Sequence, residues 1–595
     1  MDGVRVSLAC ALLLFAVSSI ASAAIVEHTF NVQNLTVSRL CKRQVVTVVN
    51  GSLPGPTIRV KEGDSLVIHV LNNSPHNITI HWFNDFYFYI CVKNFNKFNY
   101  LNILCTRRRR HGIFHRLTVW ADGPSMITQC PIQPGQRYAY RFNITGQEGT
   151  LWWHAHSSFL RATVYGALII RPKSGHSYPF PKPHKEVPIL FGEWWNTDVV
   201  ALEETAIATG VPPNNSDAYT INGLPGNLYP CSKDRMFSLD VVKGKRYLLR
   251  IINAAMNMQM FFKIANHRLT VVGADAVYTA PYVTDVIAIA PGQTVDALLF
   301  ADQSIDTSYY MAAHPYASAP SVPFPNTTTR GVIHYAGASK PKRTKRVLMP
   351  KLPSFFDTLT AHRFYSSLTS LVDGPHYVPV PCQVDEEMLV TIGLALEACA
   401  DNTTCPKFSA SMSNHSFVLP KKLSILEAVF HGVDGIFTPD FPNQPPVKFD
   451  YTDPNVTQTN PGLLFAQKTT SAKVLKFNTT VELVLQNHAL IAAESHPMHL
   501  HGFNFHVLAQ GFGNYNANRD RSKFNLVNPQ FRNTLAVPVG GWAVTRFTAD
   551  NPGAWIMHCH IDVHLPFGLG MIFVVENGPT KATTLPPPPL DLPKC

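Results

Sequence analysis

Short runs in which apolar and polar residues alternate recur along the chain, separated by turn residues. Residues 45–50 form a β-branched run, 51–56 form a turn rich in Gly and Pro, and 65–71 form an alternating run. Alternation with a period of two is typical of a β-strand with one buried face. No long stretch has the 3.6-residue period of an amphipathic helix, so the pattern predicts an all-β fold.

The same strand and turn pattern occurs three times. Copies lie at 48–72 and 220–253, and a fainter one lies at 473–487. Internal repetition at so long a period indicates one β-domain used three times. Without helices to cover a sheet, the expected architecture is a series of Greek-key β-sandwiches.

Proline-rich segments predict where these domains end. Residues 179–183 separate the first domain from the second, a basic segment at 340–353 leads out of the second, and 586–589 form an extended strap. The predicted organisation is a signal peptide at 1–23, domain 1 at 24–178, domain 2 at 184–345, and a linker with domain 3 at 354–595.

Length and composition agree with this organisation. The chain has 595 residues, too many for one core, and its 46% hydrophobic and 15% charged content is that of a folded protein. Arg5, the apolar run 8–17 and the small residues 21–23 are typical of a secretory signal peptide. The alternative, a membrane anchor, is disfavoured because the apolar run is too short to span a bilayer. We therefore expect a secreted protein without a membrane partner.

Glycosylation motifs support an extracellular location, and the net charge bears on which partners are expected. Asn-x-Ser/Thr motifs are frequent, as in secreted glycoproteins, and they occur at Asn34, Asn50, Asn72, Asn77, Asn143, Asn214, Asn326, Asn402, Asn414, Asn455 and Asn478. The formal net charge is +11, of which residues 83–110 supply +5. The remaining charge is modest for this length and gives no case for nucleic-acid binding.

The motif His558-Cys559-His560 is the strongest indication of a metal site in the sequence. In an extended strand His558 and His560 face one way and Cys559 the other, which places two metal sites back to back. Cys559 and His564 are two of the three ligands of a His₂Cys copper site. Zinc is the alternative, since it also binds Cys and His. A zinc site, however, has no use for a Cys between two diverging histidines.

Three further histidine clusters lie upstream. They bring ten of the 25 histidines into four clusters, whereas a lone histidine is usually structural. The sequence here resembles the multicopper oxidases, and among them the plant laccases. The resemblance covers residues 24–595 apart from one segment, and its motifs are Trp120-Ala121-Asp122-Gly123-Pro124, Leu151-Trp152-Trp153-His154-Ala155-His156, His496-Pro497-Met498-His499-Leu500-His501-Gly502 and His558-Cys559-His560.

The resemblance implies three cupredoxin-like domains and four copper ions with the following ligands. Type 1 copper takes His496, Cys559 and His564, and the axial position is Leu569, which cannot ligate. Type 2 copper takes His81 and His499. The type 3 pair takes His111, His154 and His560 on one ion and His156, His501 and His558 on the other.

The resemblance also implies roles for two carboxylates and for the cysteines. Asp122 and Asp562 would relay protons to the three-copper cluster or orient a ligand histidine. Sequence alone leaves the disulfide connectivity open. The resemblance implies Cys41–Cys231, Cys130–Cys595 and Cys399–Cys405, with Cys382 left over.

One segment departs from the family pattern. A laccase-like chain has His-Trp-His-Gly, but here residues 83–110 separate Trp82 from His111 and Gly112. The segment is rich in Phe, Asn and Tyr and ends in four arginines, unlike the flanking strands. We interpret it as a retained intron in the gene sequence. The alternative is a surface loop whose ends lie close together, which has a modest entropic cost.

The resemblance implies a secreted, monomeric laccase of the apoplast or cell wall. Such an enzyme oxidises phenols, including monolignols, and reduces O₂, so that it acts in lignin polymerisation or turnover. An ascorbate oxidase is the nearest alternative, but that family has Met at the position of Leu569. A metal-oxidising enzyme would need acidic residues beside His496 and His564, which the sequence does not identify. A copper-deficient structural cupredoxin is a further alternative if residues 83–110 are present.

Overall fold

The computed structural model describes residues 23–82, 118–232, 235–336, 347–397 and 406–595. The strands in these ranges form six sheets, which follow one another along the chain as three pairs. The predicted all-β fold of three cupredoxin-like sandwiches is confirmed.

The first pair of sheets lies within residues 25–171. Its strands are β1 (Ile25–Arg39), β2 (Lys42–Val49), β3 (Ile58–Lys61), β4 (Ser65–Asn72), β5 (Ile80–Trp82), β6 (Arg137–Asn143), β7 (Gly149–Ala155) and β8 (Tyr165–Arg171). One sheet has the order β2-β1-β4-β6 and the other β3-β8-β7-β5. In β4 the apolar Leu66, Ile68 and Val70 are fully buried and alternate with partly exposed residues, as the pattern predicts.

The second pair lies within residues 185–335. Its strands are β9 (Lys185–Trp194), β10 (Ala218–Ile221), β11 (Ser238–Val241), β12 (Arg246–Asn253), β13 (Gln259–Ile264), β14 (Leu269–Ala274), β15 (Val277–Thr284), β16 (Ile287–Ile289), β17 (Thr294–Phe300), β18 (Tyr309–Tyr316) and β19 (Thr329–Tyr335). The two sheets have the orders β10-β9-β12-β17-β14-β15 and β11-β19-β18-β13-β16.

The third pair lies within residues 386–575. Its strands are β20 (Glu386–Glu397), β21 (Lys407–Met412), β22 (His415–Phe417), β23 (Gln467–Thr469), β24 (Ala472–Leu475), β25 (Thr479–Asn487), β26 (His496–Leu500), β27 (Phe505–Phe512), β28 (Gln530–Arg532), β29 (Thr534–Val537), β30 (Gly541–Ala549), β31 (Gly553–Cys559) and β32 (Gly570–Val575). The orders are β23-β22-β21-β20-β25-β30-β27-β28 and β24-β32-β31-β26-β29.

Equivalent strand pairs recur in all three units. The first strand of each unit runs parallel to a later one, in the pairs β1 with β4, β9 with β12 and β20 with β25. In the facing sheets β3 with β8, β11 with β19 and β24 with β32 are also parallel. The three sequence copies cover the equivalent strands β3–β4, β11–β12 and β24–β25. The repeat in the sequence therefore corresponds to a repeat in the structure. The predicted domain boundaries stay predictions.

The helices of the described residues are short. They are α1 (Val199–Thr209), α2 (Thr358–Ser367), α3 (Ile425–His431), α4 (Val456–Thr459) and α5 (Ala517–Asp520). At the start of α1 the Asp198 carboxylate accepts hydrogen bonds from the N–H groups of Val200 and Ala201, and the helix ends at Gly210 with φ +69°. None of these helices has the length and apolarity needed to cross a membrane.

Two disulfides connect the units. Cys41 is bonded to Cys231 and Cys130 to Cys595, so both predicted pairings are confirmed. The predicted bond between Cys399 and Cys405 lies outside the described residues. Cys382 takes part in neither of the two observed bonds.

Candidate metal centre

The end of β31 separates two sets of side chains. Cys559 Sγ lies 3.4 Å from Nδ1 of His564 and 3.7 Å from Nδ1 of His496. His558, its neighbour, lies on the other face of the strand, with Nε2 3.2 Å from Nε2 of His501. All of these side chains are buried. The alternation of a β-strand therefore places Cys559 and His558 in different clusters, as predicted.

Strand pairing brings the two histidine motifs of the third unit together. Strand β26 is antiparallel to β31, with Met498 opposite Cys559 and His499 opposite His558. The N–H of His560 donates to the carbonyl of Pro497 at 2.6 Å. The spacing within each motif and this register fix which histidines can meet.

A tight turn after β31 returns the chain to Cys559. Residues 562–564 form a 3₁₀ turn that carries His564. The N–H of Leu569 donates to the carbonyl of His564 at 3.0 Å, and the N–H of Cys559 donates to the carbonyl of Leu569 at 3.0 Å. The fully buried, apolar Leu569 is thus held by backbone bonds beside Cys559 and His564.

The second cluster joins the first unit to the third. Strand β5 pairs with β7 so that His81 lies opposite His154. Potential ligand atoms within 4.8 Å of one another occur in two groups, His81 with His499 and His501, and His156 with His501 and His558. The rings of His154 and His560 lie 5.4 Å apart, centroid to centroid. The structure therefore brings together all predicted cluster residues except His111, which lies outside the described residues.

Hydrogen bonds fix the orientation of the cluster histidines. In five of the cluster rings Nδ1 donates to a nearby oxygen, as is usual for metal-ligating histidines, whereas Nδ1 of His560 accepts a hydrogen bond from Nη1 of Arg161 at 2.7 Å. The acceptors are the carbonyls of Asp122 for His81, Ala155 for His154, Asn533 for His499 and Cys559 for His558, and the Asp122 carboxylate for His501. Nε2 is therefore the ring nitrogen available to face the centre of the cluster.

The two predicted carboxylates have different surroundings. Asp122 is 1% exposed and accepts from His501 at 3.0 Å, so it orients a cluster histidine. Asp562 Oδ1 lies 3.3 Å from Nη1 of Arg161, while its buried Oδ2 has no hydrogen-bond partner. Arg161 also donates to the carbonyl of His560 at 3.1 Å. Arg161 was not predicted from the sequence, since nothing local marks it as a neighbour of His560.

Burial keeps the cluster imidazoles neutral. It lowers the pKa of His558 and that of His496 to about 3, and it holds the pKa of His156 and His501 well below the usual range. Neutral imidazole is the form that binds a metal ion. Burial also raises the pKa of the Cys559 thiol, so a bound cation would be needed to give the thiolate at neutral pH.

An acidic residue that the sequence did not identify lies beside His564. Glu494 accepts a hydrogen bond from Nε2 of His564 at 3.1 Å, and its side chain is 13% exposed. Its position two residues before His496 is the only local signal that could have indicated it. The pairing with His564 depends on the turn after β31, which the sequence does not fix.

A cleft of about 660 Å³ borders the histidine cluster on the side of β31 opposite Cys559. His156, His558 and Asp562 are among the residues that line it. Residues of β21 and β22, a segment at 417–421 and Glu203 of α1 also contribute to the lining. The cleft gives small molecules from solvent a route to the histidine cluster.

Comparison with known proteins decides the family. Models described as "Multicopper oxidase" match residues 31–84 with 90–175, 185–338 and 440–579. Laccase-7 of Arabidopsis thaliana is 86% identical over all of both chains. Laccase-9 of Arabidopsis thaliana is 54% identical, covering 98% of this chain and 94% of its own.

Laccase-24 of Oryza sativa subsp. japonica is 52% identical and covers 97% of each chain. The chain belongs to the laccases of the multicopper oxidase family. The crystal structure of the Botrytis aclada laccase superposes with a TM-score of 0.68 at 25% identity, covering 95% of this chain and 89% of its own. Fet3p, a multicopper oxidase that functions in iron import, superposes with a TM-score of 0.68 at 22% identity, covering 93% of this chain and 90% of its own. At this identity the likeness bears on the fold alone.

The donor set of this laccase fits the four copper ions that the family implies. Cys559 with two histidines supplies the sulfur and nitrogen ligands of a blue copper site, and imidazoles suit the remaining ions. Nε2 of His156 is buried without a hydrogen-bond partner, as expected of a ligand atom. One further group of potential ligands, Cys130 with Glu427 and Cys595, is excluded because its cysteines form a disulfide.

Proposed function

We propose that this laccase is a secreted enzyme that oxidises phenols, including monolignols, by one electron each and reduces O₂ to water. The observation that carries the proposal is the buried group of His496, Cys559 and His564, joined through β31 to the histidine cluster. Oxidation of four phenols breaks four O–H bonds and yields four phenoxyl radicals, four electrons and four protons. One O₂ takes up four electrons and four protons to give two waters.

The ligand assignment follows the predicted roles. Copper supplies the one-electron redox chemistry when bound. His496, Cys559 and His564 would hold type 1 copper, with Leu569 at the axial position as a residue that cannot ligate. His81 and His499 would hold type 2 copper, and the remaining histidines would hold the type 3 pair, namely His111, His154, His156, His501, His558 and His560.

The chain provides a short covalent route between the two sites. Cys559 is bonded through its backbone to His558 on one side and His560 on the other, and these side chains face the cluster. Substrate oxidation and O₂ reduction can therefore take place in separate pockets. Burial of all three residues keeps bulk water away from this route.

Residues 1–23 support secretion, and exposed sequons support glycosylation. Asn34, Asn77 and Asn326 are exposed, whereas Asn72 is fully buried and donates to the carbonyls of His76 and Ile132. We therefore expect Asn72 to stay unmodified in the folded protein. We also propose an apoplastic location, a monomeric state and a role in lignin polymerisation or turnover, as the resemblance to plant laccases implies.

Glu494 supports a second candidate, oxidation of a metal ion such as Fe²⁺. A carboxylate beside a type 1 histidine is the feature that such an enzyme needs, and Glu494 accepts from His564. The side chain is mostly buried, however, and this single carboxylate would have to bind the ion while hydrogen-bonded to His564. Phenol oxidation remains the leading proposal.

The test is copper content combined with oxygen consumption on three reductants. The proposal expects four copper ions per chain, fastest O₂ uptake with a monolignol, and four phenols oxidised per O₂. Fastest uptake with ascorbate or with Fe²⁺ would instead identify the corresponding oxidase. One copper ion or none per chain would identify an inactive cupredoxin-fold protein.

A further inference from the structure

Glu203 is a buried carboxyl group that no assigned role uses. It lies on α1 and is 7% exposed. Its Oε2 accepts a hydrogen bond from the N–H of Phe159 at 2.9 Å. Phe159 belongs to the 3₁₀ turn Ser158–Ala162, which follows the histidine pair of β7 and also carries Arg161. Glu203 thus joins a helix of the second unit to the segment that supports the histidine cluster.

Glu203 lines the cleft that also borders the histidine cluster. Glu203 lines the same space as His156, His558 and Asp562. The unpartnered Oδ2 of Asp562 is buried there. The exposed Lys421 contributes to the lining on the solvent side. Glu203, Lys421 and the cluster histidines His156 and His558 therefore border one continuous space.

Glu203 is protonated at neutral pH. Burial raises the pKa of Glu203, the nearby Asp562 carboxylate also raises it, and the hydrogen bond from Phe159 opposes the shift, so that the resulting pKa is about 8. The exposed Glu204 also raises the pKa of Glu203. The other charged groups that line the cleft are Arg161, Glu397, Lys407, Lys421 and Lys468. A carboxylic acid of this kind can donate a proton at pH 7 and be reprotonated from solvent.

We propose that Glu203 is a proton-relay residue that delivers protons from solvent through this cleft to the site of O₂ reduction. The inference rests on the proposed function, because it requires that O₂ be reduced at the histidine cluster. In each transfer the O–H bond of the Glu203 carboxyl breaks, its proton moves to water in the cleft, and the carboxylate takes a proton from solvent. Four transfers supply the four protons of one O₂, while the reducing substrate supplies the four electrons.

The decisive variant is Glu203→Gln, because the glutamine carbonyl still accepts from the N–H of Phe159 but cannot donate an acidic proton. Glu204→Gln is the matched control, since it makes the same replacement of a carboxyl group by an amide at the exposed neighbouring position. Ferrocyanide is the reductant, because its oxidation releases no proton and leaves solvent as the only proton source.

We expect O₂ consumption at pH 7 to fall by about tenfold to hundredfold in Glu203→Gln. The wild-type rate should fall as pH rises through about 8, where the carboxyl proton of Glu203 is lost. This decline should be absent in Glu203→Gln, and the solvent deuterium isotope effect should increase. Glu204→Gln should follow the wild type. A wild-type rate, pH profile and isotope effect in Glu203→Gln, with four copper ions bound, would overturn the relay.

A second measurement is independent of copper loading. Infrared titration of the copper-free protein should show a protonated carboxyl band that disappears near pH 8, present in the wild type and in Glu204→Gln and absent in Glu203→Gln. Absence of this difference would overturn the inference whatever the activity. If the band is present but the wild type consumes no O₂, the proposed function fails, and the relay fails with it.

Discussion

Nδ1 of His501 donates to the carboxylate of Asp122 at 3.0 Å, and the backbone carbonyl of the same Asp122 accepts from Nδ1 of His81 at 2.7 Å. One residue of the first unit therefore orients two histidines, His81 of the first unit and His501 of the third. Such outer partners fix the ring orientation and the tautomer of a metal ligand. The position of Asp122 supports the prediction that it orients ligand histidines.

The variant Asp122→Asn keeps a hydrogen-bond acceptor but loses the negative charge. We expect affinity for cluster copper or O₂ reduction to decrease by about 10- to 100-fold, while the blue absorption of the Cys559 site persists. Copper per chain after dialysis against a chelator, together with O₂ uptake, measures both effects. Asp591→Asn is the control, since it removes an exposed carboxylate paired with Arg141. Wild-type copper affinity and turnover in Asp122→Asn would contradict the assignment.

Gly292 of the second unit lies directly against a cluster histidine. Its φ is +87°, and a Cβ at this position would lie 2.5 Å from Cδ2 of His560. Gly292→Ala should therefore displace the His560 ring and lower the copper content of the cluster. Copper analysis and the melting temperature, measured together, separate this effect from backbone strain.

Gly244→Ala is a matched control for that strain. Gly244 has φ +80°, but nothing lies within 4 Å of its added Cβ. Both variants should lose about 1–2 kcal/mol of stability from the left-handed backbone. Only Gly292→Ala should lose copper. Four copper ions in Gly292→Ala would show that the His560 ring tolerates the methyl group.

The sequence alone identifies the candidate ligands that share a strand. The spacing of His154 and His156, or of His558 and His560, places both side chains on one face whatever surrounds the strand. The motifs could therefore be assigned before the fold was known. The fold class followed in the same way from the period of two in runs such as 65–71.

The residues that sequence reasoning missed depend on tertiary packing. Arg161 and His560 are 399 positions apart, and the 3₁₀ turn that carries Arg161 has no recognisable motif. Glu494 meets His564 because a turn reverses the chain after β31. Glu203 reaches the cleft because α1 packs on the 3₁₀ turn that carries Arg161. No periodicity in the sequence encodes these contacts between distant segments.

Leu569 offers a test of the predicted axial position. Leu569→Met conserves volume, so it should cost less than about 1.5 kcal/mol. The thioether would give the type 1 site a weak axial ligand, which stabilises the cupric state and lowers the reduction potential. Redox titration of the blue absorption measures the change. An unchanged or higher potential would exclude Leu569 from the axial position.

Met571→Leu is the control for this variant. Met571 is fully buried on β32 opposite Met557, where we interpret it as a core residue. Removing its thioether should leave the potential unchanged. A higher potential in Met571→Leu would instead identify Met571 as the axial ligand.

The register of β5 and β7 makes a specific prediction about the segment 83–110. His81 lies opposite His154 and Trp82 opposite Trp153, so the next residue of β5 would lie opposite Trp152. Trp152 contacts the rings of His154 and His560, with centroids 4.3 Å and 5.6 Å away. If Trp82 were bonded directly to His111, the imidazole of His111 would join His154 and His560, the type 3 set that the family pattern predicts.

We therefore expect the native protein to lack residues 83–110. Mass spectrometry after deglycosylation and trypsin digestion should detect one peptide that begins at Glu62, continues from Trp82 to His111 and ends at Arg116. Detection of the tryptic peptide 98–107 in comparable amount would instead show that the segment is part of the mature chain. Copper content would then decide whether the ends of the segment still bring His111 to the cluster, because a loop can close at modest entropic cost. Four copper ions would show a complete cluster, and fewer would show that the insertion separates His81 from His111.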